Sequence, residues 1–103
     1  MIIAVDFDGT LCYHRYPDIG EAKSWVIDEL KKKIVEGHKI ILWTCRDGIM
    51  LDKAVAWCKD WGVVFDAVNE DLPEIKDSFK YKSCKVYADV YLDDRNIITL
   101  TEI

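Results

Sequence analysis

The chain has 103 residues, which is enough for one domain but not for two. Hydrophobic residues make up 50% of the chain and charged residues 32%, a balance typical of a soluble globular protein. The formal net charge of −5 argues against non-specific binding of nucleic acid through a global positive field. We therefore predict a single domain over residues 1–103.

The segment before the first charged residue is short. The apolar run Met1–Val5 has no basic region ahead of it and is too short for a signal peptide or a membrane span. The four cysteines form neither close pairs nor a dense framework, which favours reduced thiols over disulfides or a zinc site. These features predict a cytoplasmic protein with no membrane partner.

Apolar periodicity alternates between strand-like runs and helical stripes along the chain. Glycines stand where two helical stripes stop, and Pro73 suits the first turn of a short helix. The predicted strands are 2–5, 39–43, 63–68, 86–92 and a minimal fifth at 97–100. The predicted helices are about 21–36, ended by Gly37, one capped by Asp47 and ended by Gly62, and one that starts at Pro73.

This alternation predicts an α/β fold with a parallel sheet covered by helices on both faces. In such sheets, ligands bind beyond the carboxyl ends of the strands. Polar residues follow three of the predicted strands at that edge. They are Asp6 and Asp8, Thr44, and Asp93 and Asp94.

Clustered carboxylates raise one another's pKa unless a cation neutralises them. Mg²⁺ is typically held by one or two carboxylates, waters and a substrate phosphate, and Asp6 with Asp93 or Asp94 would form such a site. Asp6 could attack phosphorus and form an aspartyl-phosphate, while Thr44 donates to a phosphate oxygen. Asp8 is close enough to protonate the leaving oxygen and later deprotonate water. Because that role involves little packing, the sequence predicts that Asp8→Asn loses rate but keeps the fold.

Three segments in this order resemble the motifs of the haloacid dehalogenase superfamily. Residues 6–10, Asp-Phe-Asp-Gly-Thr, resemble its first motif, DxDGT. The apolar run 40–43 ending in Thr44 is similar to its second motif. The acidic pair 93–94, directly after the apolar run 90–92, is similar to its fourth.

The resemblance implies a Mg²⁺-dependent aspartyl-phosphate mechanism. It also implies a three-layer Rossmann-like fold, in which helices cover both faces of a parallel sheet ordered 5-4-1-2-3. It also implies a catalytic lysine upstream of the fourth motif, for which we choose Lys85 over Lys82 and Lys80. Dehalogenating members of the superfamily lack the second aspartate of the first motif, so Asp8 points to phosphoryl chemistry. The candidate magnesium ligands are Asp6, Asp8, Asp93 and Asp94.

Three basic residues near the predicted mouth of the site are candidates for substrate binding. His14 and Arg15 lie in the loop after the first motif, where solvated loop residues are an equal alternative. Arg46 follows Thr44 by two positions and could bind a phosphate or carboxylate through two hydrogen bonds. Asp89 interrupts the fourth strand and is interpreted as a residue at the strand entrance in preference to a supporting acid.

The segments between the motifs are too short for an inserted cap domain. An open site favours a large phosphorylated substrate, such as a macromolecular end, or a homo-oligomer whose neighbour covers the cleft. Two other functions compete with a phosphatase. A receiver domain also combines carboxylates, a threonine and a lysine around Mg²⁺, and a catalytically idle binding module could keep the same fold.

Overall fold

A parallel sheet of four strands forms the centre of the protein. The structure, a computed structural model, describes residues 1–77, 85–97 and 99–103. The strands are β1 (Ile2–Val5), β2 (Lys39–Leu42), β3 (Ala67–Val68) and β4 (Val90–Leu92), in the order β3-β2-β1-β4. The helices are α1 (Ser24–Val35), α2 (Gly48–Asp60), α3 (Pro73–Lys76) and α4 (Thr99–Glu102). The predicted α/β class with a parallel sheet is confirmed.

Both faces of the two central strands are buried, as the continuous apolar runs predicted. Successive side chains of a strand point to opposite faces. Ile3 and Val5 therefore pack with residues of α1, α2 and α4 in one core, whereas Ala4 and Ile41 pack with Leu72 and the partly buried Ile75 of α3 in a second core. Helices thus cover both faces of the sheet.

Glycines end the two long helices at the predicted positions. Gly37 (φ +95°) follows α1 and Gly62 (φ +87°) follows α2, both in the left-handed region that a helix C-terminus often adopts. α1 begins three residues later than predicted because Ala22 forms an isolated antiparallel bridge with Cys12. No helix in the described ranges is long and apolar enough to cross a membrane.

The prediction of a fifth strand at 97–100, and with it the order 5-4-1-2-3, differs from the observed sheet. Ile97 and Leu100 are buried, and the Leu100 N–H donates to the Ile97 carbonyl at the start of α4. The apolar residues 97, 100 and 103 are three positions apart, a spacing that favours one face of a helical turn. Lys33 of α1 donates from Nζ to the Ile103 carbonyl over 2.7 Å. The C-terminal segment therefore packs on α1.

Two aspartates shorten β3 and β4 relative to the predicted strands. The Asp66 N–H donates to the Ile40 carbonyl, and its carboxylate accepts the Ile40 N–H, both over 2.8 Å. Asp89 pairs in the same way with Ile2, over 2.8 and 2.7 Å. Each carboxylate takes the place of a strand carbonyl at the point where pairing begins. The interpretation of Asp89 as a strand-entrance residue is confirmed.

Asp66→Ala is expected to lower the free energy of unfolding by about 1 kcal/mol, because it leaves the partly buried Ile40 N–H without its acceptor. Urea denaturation would measure the loss. Asp52→Ala, at an exposed position in α2, serves as the control for removing a surface carboxylate. Equal stability of the two variants would show that the Asp66 side chain does not hold the strand start.

Candidate active site

The candidate site lies at the carboxyl edge of the sheet, where β1 separates its two neighbours. β2 pairs with one side of β1 and β4 with the other, so the chain connections depart in opposite directions and leave a crevice at that edge. The Asp6 N–H donates to the Leu92 carbonyl and the Trp43 N–H to the Val5 carbonyl, each over 2.9 Å. These bonds continue the pairing one residue past the strands and bring the residues that follow them together.

Two cavities meet at this edge. One, the Asp8-side cavity, has a volume of about 540 Å³ and is lined by Asp6, Asp8, His14, Tyr16, Thr44, Cys45, Arg46 and Asp94. The other, the Asp93-side cavity, has a volume of about 300 Å³ and is lined by Asp6, Trp43, Thr44, Cys45, Tyr91, Leu92 and Asp93. Asp6, Thr44 and Cys45 border both cavities. The structure therefore brings together the acidic and hydroxyl residues that the sequence singled out.

The ionised form of the Asp6 carboxyl group is disfavoured when no cation lies beside it. Burial raises the pKa of its carboxyl group, and the nearby carboxylates of Asp8, Asp94 and Asp93 raise it further. The Phe7 N–H, which donates to Asp6 Oδ1 over 2.8 Å, acts in the opposite direction. A cation beside Asp6 would relieve the repulsion.

The first motif forms a tight turn that packs against the acidic segment after β4. Gly9 has φ +84°, and a Cβ at this position would lie 3.2 Å from the Asp94 Cβ. The Thr10 N–H donates to the Phe7 carbonyl, and Lys23 Nζ donates to the Gly9 carbonyl over 2.7 Å. Gly9 thus permits both the turn and the close approach of Asp94.

Arg46 is buried and pairs with Asp8. Its Nε donates to Asp8 Oδ2 over 2.9 Å and its Nη2 to Asp8 Oδ1 over 2.8 Å, and the arginine side chain is only 1% exposed. The remaining N–H groups donate to the carbonyls of Pro17, Asp18 and Met50. The hydrogen bond to Asp8 raises the pKa of Arg46 further. This side chain ties the first motif to the following loop and to α2.

These bonds bear on two sequence predictions. All five guanidinium N–H groups of Arg46 donate within the protein, so none is left for a substrate in this arrangement. The two-bond pairing that we predicted for a substrate is made with Asp8. Both oxygens of Asp8 accept from Arg46, which disfavours the predicted metal coordination by its side chain. The sequence could not show this pairing because the two residues are far apart in the chain.

The loop after the first motif closes on itself beside the Asp8-side cavity. The Tyr13 N–H donates to the Glu21 carbonyl over 2.8 Å, and a Cβ at Gly20 would collide with the Tyr13 carbonyl oxygen. His14 lines the cavity, as its predicted place near the mouth requires. Arg15 is exposed on the same loop and is not among the described residues that line this cavity.

Asn69 is a site residue that the sequence reasoning missed. Its side-chain oxygen accepts the Thr44 N–H over 2.8 Å, and its own N–H donates to the Leu42 carbonyl over 2.7 Å. Thr44 Oγ1 in turn accepts the Arg46 N–H over 3.2 Å. Asn69 follows β3 directly and has φ +53°, a conformation that Asn tolerates better than most residues. The sequence signal that could have identified Asn69 is a polar residue directly after a predicted strand.

Lys85 lies beside an aromatic ring of the Asp93-side cavity. Its Nζ is 4.9 Å from the centroid of the Tyr91 ring, and Tyr91 lines that cavity. The rejected alternatives Lys80 and Lys82 lie outside the described residues, as does Cys84. The choice of Lys85 as the catalytic lysine stays a prediction.

Among the described residues, no three His, Cys, Asp or Glu side chains form a group that could hold a metal ion by themselves. Asp93 Oδ1 accepts the Arg95 N–H over 2.9 Å.

The described cysteines, Cys12, Cys45 and Cys58, are free thiols. Burial raises the pKa of Cys58 to about 12, and burial also raises that of Cys12. Neither buried thiol is suited to act as a nucleophile.

No protein-family model matches the chain, and no curated protein matches it. A solved structure of a conserved protein from Bacteroides thetaiotaomicron is 48% identical to it, with a TM-score of 0.82. The match covers 93% of this chain and 77% of that one. This degree of identity over most of both chains shows that the two proteins share a family.

Proposed function

We propose that this chain, which belongs to the same family as the conserved Bacteroides thetaiotaomicron protein, is a Mg²⁺-dependent hydrolase of phosphate monoesters with Asp6 as its nucleophile. The observation that carries the proposal is the place of Asp6. It borders both cavities, between Thr44 after β2 and the acidic pair after β4. The proposal includes membership of the haloacid dehalogenase superfamily, which the motif order and the position of β1 between β2 and β4 support.

The donor set at this edge fits Mg²⁺. This ion takes one or two protein carboxylates and completes its shell with water and substrate phosphate, so a group of three protein ligands is not required. Asp6 with Asp93 or Asp94 would hold it, and Asp8 is committed to Arg46. The ion would neutralise the carboxylates and the phosphate. The raised pKa of Asp6 is consistent with a site built for a cation.

The reaction follows from the residues around Asp6. A carboxylate oxygen of Asp6 attacks phosphorus, the bond from phosphorus to the leaving oxygen breaks, and an aspartyl-phosphate forms. Water then attacks phosphorus and releases phosphate and the Asp6 carboxylate. Thr44 Oγ1 accepts a hydrogen bond from the Arg46 N–H, so its hydroxyl proton remains to be donated to a phosphate oxygen. Asn69 holds the Thr44 backbone in place.

Asp8 is the proposed general acid and base. Its side chain is 16% exposed and lines the larger cavity beside Asp6. In the ionised, Arg46-bound form it can accept a proton from the attacking water. Donation of a proton to the leaving oxygen in the first step requires that Asp8 carries that proton and that the protonated oxygen has released its guanidinium N–H.

The strand order favours the hydrolase over a receiver domain. Flavodoxin-like sheets, the type that receiver domains adopt, are ordered 2-1-3-4-5, so their first strand lies beside the third. Here β1 lies between β2 and β4, and β3 lies outside β2. The late acidic pair is therefore next to Asp6.

Purified protein is expected to release phosphate from phosphomonoesters in the presence of Mg²⁺ and to stop when excess chelator is added. Restored turnover on adding excess Mg²⁺ controls for irreversible damage. The experiment is a panel of small phosphomonoesters, with phosphate release as the readout. Turnover that persists in excess chelator would exclude the metal-dependent mechanism. A lack of turnover with every ester of the panel would contradict the proposed phosphatase activity.

A further inference from the structure

The Asp8-side cavity contains an aromatic side chain to which the mechanism gives no role. Tyr16 lines this cavity together with Asp6 and Asp8. The residue is nevertheless 54% exposed to solvent. Its ring centroid is 5.0 Å from the Arg46 guanidinium carbon. An exposed aromatic ring at the mouth of a reaction cavity offers a flat surface to whatever enters.

One face of the Tyr16 ring packs on a buried, hydrogen-bonded group. The Arg46 guanidinium carbon is 5.0 Å from the centroid of the Tyr16 ring and 5.0 Å from that of the Phe7 ring. Phe7 is fully buried, and Arg46 is fixed by its hydrogen bonds to Asp8, Pro17 and Asp18. A ring that is already ordered loses little conformational entropy when it binds a ligand. Tyr16 therefore provides a preformed stacking surface.

The position of this surface relates it to the leaving group of the substrate. Phosphorus must lie within reach of Asp6, and the leaving oxygen must face Asp8, which borders the same cavity as Tyr16. The cavity volume of about 540 Å³ lies within the range of small-molecule sites. Tyr16 therefore borders the cavity that would receive the part of the substrate that departs with the leaving oxygen.

The charges around the cavity select among leaving groups. The positive charge of Arg46 is matched by Asp8, so Arg46 is not free to pair with a further anionic group of the substrate. A further anionic group on the substrate therefore gains no ion pair from Arg46. The Arg46 guanidinium lies over one face of the Tyr16 ring, which leaves the other face for a ring of the substrate. An uncharged aromatic ring suits both conditions.

We infer that Tyr16 determines specificity, and that the preferred substrate is not the macromolecular end expected from an open site. It is a small phosphomonoester with an uncharged aromatic ring in its leaving group, as in a nucleoside monophosphate. This inference rests on the proposed function. Hydrolysis breaks the phosphorus–oxygen bond, and the ring-bearing part leaves as an alcohol that takes up one proton. His14, which also lines the cavity, is placed to hydrogen-bond a sugar hydroxyl.

The test compares a nucleoside 5′-monophosphate, an aryl phosphate, glycerol phosphate and phosphocholine as substrates of the wild type, Tyr16→Leu, Tyr16→Phe and Tyr13→Leu. Tyr13 is a matched control, because it lies on the same loop and is 56% exposed but its ring packs against Lys23. The ratio of kcat/KM for the nucleotide to that for glycerol phosphate should fall roughly tenfold in Tyr16→Leu, a typical loss for one stacked base. Tyr16→Phe should keep the ratio, as should Tyr13→Leu.

Besides an unchanged ratio in Tyr16→Leu, three outcomes would overturn the inference. They are a wild type that prefers glycerol phosphate or phosphocholine, a Tyr16→Leu variant that loses both activities equally, and a Tyr13→Leu variant that loses the preference as strongly. The nucleotide and aryl arms show whether the ring requires a sugar spacer. Calorimetric binding of the nucleotide separates this inference from the proposed function. Tyr16-dependent binding without any turnover would refute the hydrolase alone, and turnover without Tyr16 dependence would refute the inference alone.

Discussion

Asp6→Asn is expected to lose all measurable phosphatase turnover and to unfold at a higher temperature than the wild type in metal-free buffer. An amide cannot act as the attacking carboxylate, so the covalent step is lost. Because burial and neighbouring carboxylates raise the pKa of Asp6, its ionised form costs folding free energy at neutral pH. An uncharged amide removes that cost and keeps an oxygen for the Phe7 N–H.

Phosphate release and thermal unfolding in chelator would measure the two effects on the same preparation. Asp52→Asn, at an exposed position in α2, is the matched control and should retain both wild-type values. Turnover in Asp6→Asn at more than a trace level would exclude Asp6 as the nucleophile. A lowered melting temperature would show that the Asp6 carboxylate stabilises the fold.

Arg46→Met is expected to lower the free energy of unfolding by about 3 kcal/mol and to reduce kcat by roughly 10² or more. Removal of one partner of a buried ion pair typically costs 3–5 kcal/mol, and Asp8 would lose the donors that orient it. The rate effect reflects general acid–base catalysis, which contributes roughly 10²–10⁴-fold. Methionine keeps the apolar stem, so lost packing contributes little.

The same pairing changes the expectation for Asp8→Asn. The sequence predicted a variant that keeps its fold, but this substitution leaves the buried guanidinium of Arg46 without its counter-charge. A double-mutant cycle with Asp8→Asn and Arg46→Met is expected to show that the double variant loses less stability than the sum of the single losses. Additive losses would mean that the two side chains do not stabilise each other, and the loop would then be held by other contacts.

Local patterns were sufficient to predict the frame of the fold. The continuous apolar runs of β1 and β2 predicted strands that are covered on both faces. Gly37 and Gly62 predicted the ends of the two long helices. The rule that parallel strands present their carboxyl ends at one edge predicted that Asp6, Thr44 and Asp93 lie close together, and all three line the Asp93-side cavity. These features depend on neighbours in the chain or on a general property of parallel sheets.

The features that were not predicted depend on contacts between distant parts of the chain. Arg46 is paired with a carboxylate 38 positions away, and no local spacing reports such a partner. The sequence placed Asp89 at a strand entrance but could not show its side-chain bond to Ile2, and the similar bond from Ile40 to Asp66 was not predicted at all. The three-residue spacing of the apolar residues from Ile97 onward covers only seven positions, too few for the sequence to exclude a strand, and packing on α1 selects the helix.

The most direct measurement of the central claim is chemical trapping of the phosphorylated residue. Protein mixed with Mg²⁺ and a phosphomonoester that it turns over would be quenched within one turnover and reduced with borohydride, which converts an aspartyl-phosphate to homoserine. We expect peptide mass spectrometry to find homoserine at position 6, and to find none when substrate is omitted. Homoserine at position 8, 93 or 94, or turnover with no reduced residue, would contradict covalent catalysis by Asp6.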